Sequence, residues 1–394
     1  MPRRVVTSHA DRIDALVGPF LSELDNARRL AGRKGEQIAD LSRFDLRLAP
    51  PAGSAAPANP AAQIRQVFAE YLADQYCVRL NPERELLLAP SGRAALMLLC
   101  CYFVESGREC LAPDPGFVAY RNLPLLFGGK VGRYALLQRN DFLPNLEQLT
   151  REKPDGKLSR LIFVNSPHNP SGAIADTDFY ARLAKLAVAE NLLVIADSSY
   201  CLNSIGSMPA PIFLENRKRF GAGLEMFSLS TNLCAPDLKL TVVAGPRRHI
   251  TSLKSLAAVT GLTPSPPLLA AAAAYFESAK TLKSHLDLCR ETIRNRTRLI
   301  TASLSETGIS YYPVITTPFV WVKLRRGRVS LAFARTLLRR KQVAVSPGSA
   351  FGEGGEGWIR VAANLEGAEL RQALDLLIKH YQPIRSRMRD RRKQ

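Results

Sequence analysis

No run of about eighteen apolar residues, the length a membrane-spanning helix needs, occurs in the chain. No membrane span is therefore expected. The opening residues, Met1-Pro2-Arg3-Arg4-Val5-Val6, lack the apolar core of a secretory signal. The seven cysteines (Cys77, Cys100, Cys101, Cys110, Cys201, Cys234 and Cys289) are an odd number without a C-x-x-C pair. This pattern argues against a disulfide framework or a zinc site, and it points to buried free thiols in a reducing cytoplasm. Nor is there an internal repeat.

What is present describes a folded protein. A chain of 394 residues with 46% hydrophobic and 23% charged residues can bury a full core, divided between two structural domains. Its formal net charge of +19 comes from arginines and lysines spread along the sequence, apart from a final cluster of Arg385, Arg387, Arg389, Arg391, Arg392 and Lys393. That cluster has no interleaved aromatics and no nucleic-acid motif, so it reads as a solvated terminus. The diffuse charge favours anionic small molecules over nucleic acid.

Taken in order, residues Asp11 to Leu30 have a helical rhythm, and Gln37 to Leu41 are strand-like. An Ala- and Pro-rich loop from Ala49 to Pro60 leads to a helix over Ala61 to Gln75. The pattern then becomes α/β. The apolar run Glu85 to Pro90 reads as a strand, followed by Ser91-Gly92-Arg93 and a helix to Phe103. Small residues at a helix start either cap it or bring backbone N–H groups to an anion. Cys110 to Asp114 is a strand whose turn presents Phe117. Arg160 to Asn165, Asp176 to Glu190 and Asn191 to Asp197 read as strand, helix and strand, a βαβ unit with a partly parallel sheet. Ligands of such sheets gather at the carboxyl ends of the strands, where Asn169, Asp197 and Ser228 fall. Leu240 to Gly245 adds a strand, and Pro267 to about Leu304 is mostly helical. Short strands then alternate with helices to His380. The fold class expected is α/β: a large domain with a mostly parallel sheet plus a smaller α+β C-terminal domain. The division expected is an N-terminal segment, residues 1–48, packing with the small domain; a large domain, 49–285; and a small domain, 286–394, with the basic tail.

Several ordered segments carry a resemblance. They are Pro113-Asp114-Pro115-Gly116-Phe117, Asn169-Pro170-Ser171-Gly172, Asp197-x-x-Tyr200, Gly223 to Ser230, Val345 to Gly352 and Gly357-Trp358-Ile359-Arg360. Together, over about Asp11 to His380, they resemble the pyridoxal-phosphate (PLP) aminotransferases of fold type I. The wording is similar to the LL-diaminopimelate aminotransferase and 1-aminocyclopropane-carboxylate synthase branches. The resemblance implies a role for each match. Asp197 would keep the pyridine nitrogen protonated so that the ring is an electron sink. Tyr200 and Asn169 would contact the ring oxygen, and Phe117 would stack on the ring. Ser91, Gly92, Arg93, Ser228, Ser230 and Lys239 would hold the phosphate, and Arg360 would grip the substrate carboxylate in its planar fork. Taken singly, each has a plainer reading: a strand-end cap for Asp197, a turn residue for Asn169, core packing for Phe117 and a surface ion pair for Arg360.

Four departures accompany the match. The family pattern S-x-S-K has Thr231 where the lysine attaches to the cofactor, and Lys239 stands for the phosphate-binding arginine eight residues on. Ala58 to Arg65 lacks the tyrosine that in the family reaches the neighbouring subunit's phosphate and the glycine of the segment after it, and Ser42-Arg43-Phe44 replaces a glycine expected near the substrate. The reading is an aminotransferase-like enzyme acting on an amino or keto acid in a specialised biosynthetic pathway. It would hold PLP or PMP noncovalently, with Thr231 and Tyr200 at the catalytic position, as a cytoplasmic homodimer without a metal. The alternative is a non-catalytic homologue that binds a ligand or partner protein. Regulators with an aminotransferase-like domain carry a separate helix-turn-helix, for which this chain has no room.

Overall fold

The computed structural model describes residues 37–51, 57–149, 161–206, 209–216, 221–313 and 316–382, together with Asn26, Ala27 and Arg29. The expected N-terminal helix falls almost entirely outside the described residues, as does the basic tail.

Twelve strands are described: β1 Ala39–Asp40, β2 Leu86–Ala89, β3 Glu109–Asp114, β4 Lys130–Ala135, β5 Leu161–Asn165, β6 Leu193–Asp197, β7 Gly223–Ser228, β8 Thr241–Ala244, β9 Phe319–Lys323, β10 Val343–Ala344, β11 Ser346–Pro347 and β12 Trp358–Ala362. Seven form one sheet in the order β2-β8-β7-β6-β5-β3-β4, in which only β8 runs against its neighbours. Its inner strands are near-continuous apolar runs because helices cover both faces. Alternation decides which core each side chain joins. Leu87, Ile195 and Val243 face the helices Gly92–Phe103 and Arg247–Thr260. Leu88, Phe227 and Val242 face the helix Pro60–Tyr76. Val194 and Ala196 meet Phe179 and Leu183 of the helix Thr177–Ala189, which is the crossover of the expected βαβ unit.

The register sets up the chemistry. Asn165 pairs with Asp197, Asp197 with Met226, and Ser228 with Thr241. Apolar runs that end in polar residues thus place those residues side by side along one edge of the sheet.

A second, antiparallel sheet has the order β11-β12-β9, while β1 pairs in parallel with β10. Leu41 is buried in the core of this region with Val322, Val361, Leu337 and Leu374, so the chain just before the large sheet is packed with its far end. The helix Ala279–Glu306 reaches both regions: Leu282 and Leu286 lie in the core beneath the large sheet, and Ile300 and Leu304 lie in the core of the small one.

Two elements differ from the sequence reading. The helical stretch after Pro267 is broken, with Pro266–Ala273 and a turn at Ala274–Phe276 preceding Ala279–Glu306. Ser278 is extended, and its hydroxyl caps the second helix by accepting from the Thr281 N–H at 3.0 Å. The short strand expected at Val343 to Val345 is divided in two, because the chain changes partner from β1 to β12 at Val345. Among the described residues no helix is long and apolar enough to cross a membrane, and no group of three metal-ligating side chains assembles.

Candidate active site

A cleft of about 500 Å³ opens at the carboxyl ends of β5, β6 and β7, beside the start of the helix Gly92–Phe103. Every residue singled out above lines it except Arg360, which lies behind Asn169: Ser91, Gly92, Arg93, Phe117, Asn169, Asp197, Tyr200, Ser228, Ser230, Thr231 and Lys239 come together. Residues more than 140 positions apart thus share one wall.

Asp197 ends β6 on the cleft floor with both carboxylate oxygens engaged. Oδ2 accepts from the Tyr120 hydroxyl at 2.6 Å. Oδ1 accepts from the Ser199 N–H at 3.0 Å and also from the Ser199 hydroxyl. Burial pushes the Asp197 carboxyl up from its ordinary range, while the three donors pull it back toward ionisation. The Tyr200 ring packs edge-on against Phe319 at 5.3 Å, and burial raises its phenol, so the hydroxyl keeps its proton at neutral pH.

A continuous polar chain runs from the main chain of Asp197 to Arg360. Asn165 donates its amide to the Asp197 carbonyl at 2.8 Å and accepts the Asn169 N–H at 2.8 Å. Asn169 Oδ1 accepts from Arg360 at 2.5 Å. The second guanidinium nitrogen donates to the Ser42 carbonyl at 2.6 Å. The guanidinium packs against Phe319 and Phe351, 4.0 and 4.8 Å from the ring centroids. Burial lowers the Arg360 pKa to about 10. No carboxylate faces it among the described residues, and Nε is buried without a partner. A buried cation in that state is primed for an external anion.

The other end of the cleft is built for an anion by different means. Ser91 caps its helix by accepting from the Ala94 N–H at 3.1 Å, and a Cβ on Gly92 would come within 3.7–3.8 Å of Met226 and Thr241. The Thr241 hydroxyl beneath is fully buried and unpartnered. Lys239 is exposed at the rim. Thr231 lies in the single helical turn after β7 and donates to the Ser228 hydroxyl at 2.7 Å, leaving the Ser228 proton free for another acceptor. The Ser230 proton is already given to the Leu238 carbonyl. The Thr231 carbonyl is held by Asn203 at 2.8 Å.

Sequence reasoning missed Tyr120, Asn165 and Ser199. A signal for Tyr120 was available: it follows Phe117 by three residues, the spacing that puts two aromatics on one side of a turn, and their rings meet at 5.6 Å. Phe44, part of the Ser42-Arg43-Phe44 stretch that replaces a glycine near the substrate, lines the cleft.

Whole-chain comparisons identify the family and the fold. The model of the aminotransferase class I and II family matches residues 51–377. LL-diaminopimelate aminotransferase from Natranaerobius thermophilus is 25% identical over 389 residues, covering 94% of this chain and 99% of the relative. The enzyme of the same name from Maridesulfovibrio salexigens is 26% identical, covering 94% and 98%. The substrate-bound structure of BacF from Bacillus subtilis superimposes with a TM-score of 0.86 at 22% identity, covering 95% of this chain and 98% of that one, and attests the fold. With a family match across most of its length and that family's sheet beneath its cleft, the chain belongs to aminotransferase class I and II, the fold type I PLP-dependent aminotransferases.

Proposed function

We propose that the cleft binds PLP or its amine form PMP without a covalent bond to the protein, and that the chain acts through it on an amino acid. The observation carrying this reading is the unbroken polar chain from Asp197 through Asn165 and Asn169 to Arg360. It ties the main chain of Asp197, whose carboxylate is suited to a pyridine nitrogen, to a cation suited to an amino acid's carboxylate. The residues present fit the group. The Thr241 hydroxyl is an orphan beneath the helix start, and the Ser228 proton is uncommitted. Asn169 has its amide oxygen taken by Arg360, so its NH2 is the end left to donate. The family names of the relatives support an amino-acid substrate.

Bound PLP supplies an electron sink for bonds at the amino acid's α-carbon. The protein does the rest. Asp197 would keep a ring nitrogen protonated, Asn169 and Tyr200 would donate to a ring oxygen, and Phe117 would cover the ring. Ser91, Gly92, Arg93, Ser228, Ser230 and Lys239 would hold the phosphate, with lysine giving a point charge where arginine would give a fork. Arg360 fixes the substrate carboxylate. Thr231 occupies the place of the attaching lysine and offers neither an amine nor an effective base. Loss of a positioned base costs about 10²–10⁴ in rate, so slow turnover follows. Thr231 is also what favours the second reading, a homologue that binds the same ligands without turning them over. The division at residues 48 and 285, the homodimer, the cytoplasmic location and the specialised pathway belong to this proposal.

Adding PLP and a panel of amino acids should change the cofactor's absorbance for at least one of them; a flat spectrum across the panel sinks the proposal. Tyr120→Phe should weaken cofactor binding about tenfold near pH 6, since a hydrogen bond to a charged group contributes about 1.5–3 kcal/mol. Losing that donor raises the already raised Asp197 pKa further, so the acid limb of the binding profile moves to higher pH and the deficit shrinks as pH increases. A deficit independent of pH would assign Tyr120 to packing alone.

A further inference from the structure

A second cleft, of about 430 Å³, lies between the middle of the helix Ala279–Glu306 and the turn around Ser204 and Gly206, outside the cofactor cleft. Arg290, Arg294 and Arg298 are spaced four residues apart, which puts them on one face of this helix, lining the cleft. Their states differ. Arg290 is consumed: it pairs with Asp287, donates to the Leu202 carbonyl at 3.1 Å and approaches the Tyr71 hydroxyl at 3.4 Å. Arg296, on another face, is likewise taken by Glu366 and the Asn364 carbonyl. Arg294 and Arg298 make no ion pair among the described residues, although Glu291 lies in the same cleft. On the opposite wall Ser204 is 1% exposed, and its hydroxyl is buried with no hydrogen-bond partner.

A concave wall with two uncommitted guanidinium groups opposite an unsatisfied hydroxyl has the donor set of an oxyanion site, since guanidinium forks match carboxylate and phosphate geometry. We infer that this cleft is a binding site for a small phosphate- or carboxylate-bearing anion, held by Arg294 and Arg298 with Ser204. It is independent of the proposed function. It is connected to the cofactor cleft all the same, because Ser204 follows Asn203, the residue that holds the Thr231 carbonyl.

The test is isothermal titration calorimetry of the full chain with two probes, inorganic pyrophosphate and citrate, which separate the phosphate source from the carboxylate source. At least one should bind saturably. That binding should survive in Lys239→Gln, which alters only the cofactor cleft, and should weaken at least about tenfold in Arg294→Gln/Arg298→Gln and measurably in Ser204→Ala. Absence of saturable binding by either probe overturns the inference. So does binding that the double variant keeps, and so does binding that Lys239→Gln abolishes. Unfolding temperatures of the variants in plain buffer, expected to match the parent for these surface arginines, separate a lost site from a lost fold.

Discussion

Replacing Arg360 by Gln should weaken binding of an amino-acid substrate to the cofactor-loaded protein by about 100-fold or more. Removing one member of a buried charge pair typically costs 3–5 kcal/mol, and each 1.4 kcal/mol is tenfold in affinity. The size of the effect follows from how the guanidinium is kept. It is buried against two phenyl rings and is bonded to neutral acceptors, the Asn169 amide, the Ser42 carbonyl and the Ser346 hydroxyl. An arriving carboxylate would be its only full counter-charge among the described residues. Arg360→Lys should recover part of the affinity, because it restores the charge without the planar fork. Cofactor affinity measured without substrate should change far less. Equal losses for cofactor and substrate would show that Arg360 acts on the architecture of the cleft and not on the carboxylate.

The second large effect concerns Asp197. Asp197→Asn preserves shape, and its one amide oxygen can keep the Ser199 donors while its NH2 donates to a reoriented Tyr120 hydroxyl, but it removes the charge that favours a protonated pyridine nitrogen. Loss of a charge-assisted hydrogen bond of about 1.5–3 kcal/mol should lower cofactor affinity by about 10- to 100-fold. Any turnover should fall further, because the ring loses its electron-withdrawing form. Folding should be spared, since burial already disfavours the Asp197 carboxylate and a neutral amide escapes that penalty. Equilibrium dialysis with PLP and a thermal melt in its absence read the two consequences separately. A variant that binds PLP as tightly as the parent would remove Asp197 from the ring site.

Much of the site was legible because its residues terminate apolar runs. Val164-Asn165, Ala196-Asp197 and Phe227-Ser228 each switch from buried strand to polar end, and a parallel register puts such ends together. Ser91-Gly92-Arg93 was readable as a helix start and proved to be one, with Ser91 as its cap. Arg360 could be read only through resemblance, since nothing local in Trp358-Ile359-Arg360 shows that its nitrogens reach Ser42, 318 residues away. Tyr120 and Asn165 were missed for a related reason: their roles depend on contacts to Asp197 across the fold. The break before Ala279 was missed because the alanine-rich stretch Leu269 to Ala274 has high helix propensity, whereas the Ser278 cap that resets the helix is a single residue.

The central claim is that Thr231 leaves this site able to hold its cofactor but unable to bond to it. Thr231 spends its hydroxyl on Ser228, and Lys239, the lysine lining the cleft, stands exposed at the phosphate end. The most direct measurement is the mass of the PLP-loaded chain in its native state and again after borohydride reduction and unfolding. The account predicts a native mass increase of one cofactor per chain that disappears on unfolding, and in Thr231→Lys an increase that persists after reduction. A parent chain that retains the cofactor through reduction and unfolding, on Lys239 or any other lysine, or that gains no mass in the native state, would contradict it.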